Sequence, residues 1–193
     1  MERRCPALNN IGYAVLIVFL SLCQGAWAKD PYVDINATMC EEGETVYISC
    51  AFDGDVDQYS YVGPVASVCA KLNTSPNGGY VQYRYGIPSY DSSKGRLELQ
   101  YPEKKHVPSG LFKIYRSDNS ESFGTALRFT NGDYMYSFEK FDLSGYRVVV
   151  RKQGVEVFNK SCTLPGKDYL VDKAFQGIDF INLGQGKIPR SRE

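Results

Sequence analysis

Hydrophobic and polar residues alternate one for one through most of this chain, and no other feature limits its fold so severely. In residues 45–52, Val46, Ile48, Cys50 and Phe52 fall on one side, with Thr45, Tyr47, Ser49 and Ala51 on the other. Residues 96–101 set Leu97, Leu99 and Tyr101 against Arg96, Glu98 and Gln100. Segments 111–116, 126–130, 134–138, 146–151 and 155–160 repeat the pattern. A period of two sends alternate side chains to opposite faces of a strand, and β-branched and aromatic residues suit a half-buried pleated surface.

Turn chemistry falls where such strands must reverse. Asn131-Gly132 and Gln153-Gly154 each divide two strand-like runs, and both residue pairs tolerate the positive φ of a tight hairpin. Asn77-Gly78-Gly79 precedes the run 80–85, and residues 86–95, with Pro88 and several serines, read as a longer loop. Together these signals predict an all-β fold, an antiparallel sandwich or barrel of about seven to nine strands. Helical periodicity never exceeds three turns, and residues 170–178 are expected to form one short helix. From residue 183 the run Gly184-Gln185-Gly186-Lys187 and the charged end read as a flexible tail. The expected organisation is therefore a leader over 1–28, a single β domain over 29–182 and a tail over 183–193.

The leader has the build of a secretory signal peptide. Arg3 and Arg4 are followed by a 12-residue apolar run, 11–22, and by Ala26-Trp27-Ala28, a small-x-small cleavage pattern. Crossing a bilayer core takes about 20 apolar residues, so a membrane anchor is disfavoured and no integral membrane segment is expected after cleavage. Lipidation at Cys23 is a weaker alternative, because bulky Leu22 stands where a small residue belongs.

Cysteine usage points to the same compartment. Of six cysteines, Cys5 and Cys23 fall in the leader, leaving Cys40, Cys50, Cys69 and Cys162. An even set in an oxidising location, periplasmic or secreted, reads as two disulfides, with all three pairings open. Zinc is a poor competitor: no Cys-x-x-Cys occurs and His106 is the only histidine. No metal and no cofactor are expected. Lys plus Arg and Asp plus Glu balance at 22 each, without the basic excess that nucleic acid or an anionic membrane surface attracts.

Ser67-Val68-Cys69-Ala70 leads to Tyr80-Val81-Gln82-Tyr83-Arg84-Tyr85-Gly86 and then to Glu98-Leu99-Gln100-Tyr101-Pro102. This succession resembles that of small exported proteins of Gram-negative bacteria. A later hairpin (Phe129, Asn131, Gly132, Tyr134, Tyr136) and a terminal Asn159-Lys160 with Cys162 are similar too. A glycine-rich segment usual before that hairpin is replaced by residues 117–124. The resemblance implies bacterial origin and export and supplies no reaction.

Arg84 lies among tyrosines, the composition of a protein-recognition hot spot. Tyr80, Gln82 and Arg84 are the partner-binding candidates. The plainer reading has Val81, Tyr83 and Tyr85 facing the core, with Arg84 pairing across strands. Asp53-Gly54-Asp55-Val56-Asp57 starts like a calcium loop, but Gln58 and Pro64 stand where Gly and Glu belong, so a solvated turn is expected. In a eukaryotic host Asn36, Asn73 and Asn159 would be glycosylation acceptors. No nucleophile elbow, zinc-protease signature or phosphate loop occurs, and no catalytic residue is assigned.

These features favour a non-enzymatic exported domain that binds another protein, in concrete form an inhibitor or immunity factor against a cell-envelope enzyme. Its recognition loops would be 53–63, 86–95 and 118–124, since loops on a rigid scaffold carry most recognition. The alternatives are an envelope hydrolase using paired carboxylates, which leave no linear signature, and an accessory structural envelope protein.

Overall fold

A computed structural model describes residues 38–52, 55–56, 61–75, 78–88, 95–119, 124–141, 145–162 and 170–189. All of these lie within one unit, Pro31–Glu193. The leader, Cys5, Cys23, Asn36, Asp53, Gly54 and most of the three expected recognition loops lie outside the described residues.

The fold is a β-sandwich. The first sheet has the order β1–β4–β5–β6, formed by β1 (Thr45–Ala51), β4 (Val65–Ser75), β5 (Gly78–Ile87) and β6 (Arg96–Tyr101), all antiparallel. Two short strands, β2 (Asp55–Val56) and β3 (Tyr61–Val62), pair separately. The second sheet has the order β11–β10–β9–β8–β7–β12. Its members are β7 (Phe112–Ser117), β8 (Gly124–Asn131), β9 (Tyr134–Phe141), β10 (Tyr146–Lys152), β11 (Val155–Ser161) and β12 (Asp179–Asn182). The two large sheets thus hold ten strands, slightly more than the expected seven to nine. The extra strand, β12, runs parallel to β7, and its four residues carry no alternation that a sequence reading could detect. The short helix falls as expected, as α1 (Asp172–Gly177).

Inward-facing residues of both sheets form one core. Ile48, Val68, Val81 and Tyr83 of the first sheet meet Phe112, Ile114, Leu127, Phe129, Phe138 and Val148 of the second. Its centre is a run of rings: Tyr101 stacks on Phe129 at 4.9 Å, and Phe129 stacks on Tyr136 at 4.8 Å. Such pairs add about 0.5–1.5 kcal/mol beyond their area burial.

Two irregularities correct the simple alternation. A register shift between Val46 and Ile48 makes Tyr47 an extra residue in β1; it joins the core and donates its hydroxyl to Lys173 O. A second shift pairs Tyr85 with Leu99 but Gly86 with Leu97, so Glu98 is extra and Leu97 lies half exposed, off the face that Leu99 shares with Tyr101. Gly86 is required there, because a Cβ would lie 2.0 Å from Arg96 O.

Both expected disulfides form, and the structure selects Cys40–Cys69 and Cys50–Cys162. The second joins β1 of one sheet to the residue after β11 of the other. The segment 183–189, expected to be loose, is instead fixed along β7. Leu183 N–H donates to Arg116 O, Ser117 Oγ donates to Gly186 O, and Ile188 is buried on Tyr115 and Ala126. Its glycines and polar residues separate two apolar anchors, Leu183 and Ile188, that no periodicity links.

Candidate functional site

The three partner-binding candidates lie together, as β5 geometry demands, but none of them is available. Tyr80, Gln82 and Arg84 are all buried on the outer face of the first sheet, beneath residues 38–44. The Cys40–Cys69 bond and the Met39 N–H bond to Ser67 Oγ hold that segment down. Arg84 clasps Glu44 at two points, Nη1 to Oε2 at 2.6 Å and Nη2 to Oε1 at 2.9 Å, and donates also to Gln82, Gln100 and Met39 O. Tyr80 donates to Glu44 Oε1 at 2.6 Å. Burial by itself would raise the Glu44 pKa, but Arg84, Tyr80 and the Glu41 N–H outweigh it and hold the carboxyl below the ordinary carboxylate value. The hot-spot assignment is therefore corrected: a guanidinium with every direction filled internally has nothing left for a partner. Pairing across strands to Gln100, the plainer reading, is what Arg84 does.

Two other polar arrangements test the chemistry weighed from sequence. Cys40 Sγ, Cys69 Sγ and a Glu44 oxygen lie within 4.8 Å of one another. The sulfurs are bonded to each other and Glu44 is engaged by Arg84, so no thiolate faces a cation. On the outer face of the second sheet, buried Glu139 accepts from Arg151 at 2.9 Å and Arg147 at 3.0 Å, with Arg128 at 3.4 Å. Burial works to raise its pKa, and Arg151, Arg128 and the Ser137 hydroxyl overcome it, so Glu139 also titrates below the ordinary carboxylate value. Both buried carboxylates are locked in the ionised state, the opposite of what a general acid needs. His106 is exposed, with Nδ1 2.9 Å from the Val107 carbonyl.

Among the described residues, a cleft opens between the sheets. Its walls are Phe52, Tyr83, Tyr85 and Leu99 on one side and Tyr134, Tyr136, Val148, Val150, Val157 and Phe158 on the other, around a cavity of about 230 Å³. Alternation brings Tyr134 and Tyr136 inward on β9, and Val148 and Val150 inward on β10. A register shift between Val150 and Arg151 leaves Val157 as an extra residue on β11, and it joins Phe158 in the wall. Burial raises the Tyr83 phenol pKa strongly, with Tyr136 and Tyr85 adding to the effect; burial, then Tyr134, raises that of Tyr136. The phenols of Tyr83 and Tyr136 are thus neutral near pH 7.

The mouth lies at two hairpin tips. Turns 131–134 and 152–155 sit side by side, with Gln153 N–H donating to Asp133 O. Gln153 and Gly154 both have positive φ, as a two-residue turn requires. Exposed Tyr134, Val155 and Val157 gather at this end, whereas Leu72 lies on β4 beside the start of β5 and Phe180 on β12. Lys152, cross-strand partner of both Tyr134 and Val155, sets its ammonium 5.3 Å from the Tyr134 ring.

Sequence reading placed Tyr134, Tyr136 and Val157 on strands without marking a site. The cleft depends on which sheet faces which, and no linear spacing encodes that. Among the described residues, no helix is long and apolar enough to cross a membrane. The chain matches no protein-family model, no curated protein and no solved structure to which it was compared.

Proposed function

We propose that this chain is a non-enzymatic, exported binding domain, periplasmic or secreted, which holds a partner protein at the cleft between its sheets. An inhibitor or immunity factor acting on a cell-envelope enzyme is the concrete form. One observation carries the reading: an open apolar cavity with exposed Tyr134 and Val157 in its wall and exposed Val155 beside them in the 152–155 turn. Apolar side chains gathered at a pocket rim are a mark of interaction surfaces. The two disulfides suit an oxidising compartment, and the motifs resembling those of exported Gram-negative proteins support the same location. The clamped state of Glu44 and Glu139 argues against a hydrolase built on them.

Tagged full-length chain, expressed in its native host, tests the reading. Wild type and Leu72→Glu should each co-purify one envelope protein at a 1:1 ratio, and Val157→Glu should lose it. Equal recovery with Val157→Glu, or no stoichiometric partner for any form, contradicts it.

A further inference from the structure

The dimensions and charge of the cleft define what it takes from a partner. We propose that it receives one aromatic side chain, presented beside an acidic group that meets Lys152. This rests on the partner-binding reading above and names the occupant.

Size comes first. A cavity of about 150 Å³ lined by aliphatic and aromatic side chains holds benzene, and the cleft, at about 230 Å³, admits a substituted ring but not a long acyl chain. The lining comes second. Rings of Phe52, Tyr83, Tyr85, Tyr134, Tyr136 and Phe158 offer faces and edges for stacked or edge-on contacts with another ring. The walls hold only aromatic and aliphatic residues and no acidic or basic side chain to draw an ionised group inward, so an ionised group stays at the mouth. Charge decides the third element. Among the described residues, Lys152 sets its ammonium on a lining ring, that of Tyr134. Its inward-facing register places it just beyond Val150 on β10, above the cavity. An anionic neighbour of the incoming ring would meet it there.

N-acetylphenylalanine, which joins a benzyl group to a carboxylate, is the simplest probe. It should be titrated into full-length protein carrying methyl-labelled valine and read by NMR. The signals of Val148, Val150 and Val157 should move, with affinity at least about tenfold above that for N-acetylalanine, because a ring buries far more apolar area than a methyl. N-acetylphenylalanine amide, which lacks the charge, should bind about threefold more weakly, the scale of a solvent-exposed ion pair. Lys152→Glu, at an exposed hairpin position, should abolish the acid's advantage and favour the amide, while leaving the spectrum of the core unchanged. Val157→Trp should fill the mouth and remove binding of both.

Equal affinity for the phenylalanine and alanine probes, or no valine shift at millimolar concentration, overturns the aromatic assignment. An acid preference that survives Lys152→Glu overturns the acidic neighbour. If the probes fail while the Val157→Glu loss of partner stands, the occupant is wrong and the binding face is right. If the probe binds and no partner depends on Val157, the cleft is a small-molecule site and the protein-partner reading falls.

Discussion

Arg84 and Glu44 meet through two parallel hydrogen bonds, 2.6 and 2.9 Å long, with both side chains almost wholly buried. This pair turns a would-be contact surface into an internal seam, binding residues 38–44 to the outer face of β5.

Removing one member of a buried pair leaves the other charged and desolvated. Glu44→Gln or Arg84→Met should each lower unfolding free energy by about 3 kcal/mol. Arg84→Met combined with Glu44→Leu should recover much of that loss. Urea denaturation of the three variants measures it; additive losses in the double variant would contradict the seam.

Acid stability should follow Glu44 and Glu139. Both have folded-state pKa values below the ordinary 4.5, so each adds stability above that value and loses it as pH falls through the lowered one. Thermal midpoints should hold from neutrality to about pH 5 and fall steeply below. Glu139→Gln should be less stable at pH 7 and show a flatter acid limb.

The alkaline limb should belong to tyrosines. Burial raises the folded-state pKa of Tyr83, Tyr80, Tyr101 and Tyr136 above the ordinary 10.0, with Glu44 adding to the effect on Tyr80. A raised value contributes stability below the unfolded pKa and loses it as pH rises toward the folded one. Absorbance at the phenolate band should show some tyrosines titrating near pH 10 and the rest appearing only together with unfolding. Reversible titration of every tyrosine with the fold intact would contradict their burial.

The two disulfides should differ in weight. Cys50–Cys162 closes a separation of 112 residues and Cys40–Cys69 one of 29. Chain-entropy arguments give about 5 and about 3.5 kcal/mol respectively. The paired serine variants, compared by denaturant midpoint, should rank in that order. Only loss of Cys40–Cys69 should increase hydrogen exchange across residues 38–44.

The strand order of this molecule was only partly written in its alternation. Residues 45–52, 96–101 and 134–138 declared strands because their apolar residues recur at every second position. Strand β12 did not, since its four residues lie at a sheet edge and are mostly exposed. The burial of Tyr80, Gln82 and Arg84 was illegible for a different reason. A polar face reads as solvent-facing unless something distant covers it, and here the cover is a segment 40 residues away from Arg84, held by a disulfide whose pairing the sequence left open. The cleft was hidden likewise: Val157 enters its wall through a bulge, and Phe52 and Leu99 reach it from the opposite sheet.

The most direct measurement places a photo-crosslinking residue at position 157, with position 72 as control, in the native host. A single discrete adduct from position 157, absent from position 72 and suppressed by N-acetylphenylalanine, is the predicted result. Adducts of equal yield from both positions, or none from position 157, would contradict the cleft as the binding site.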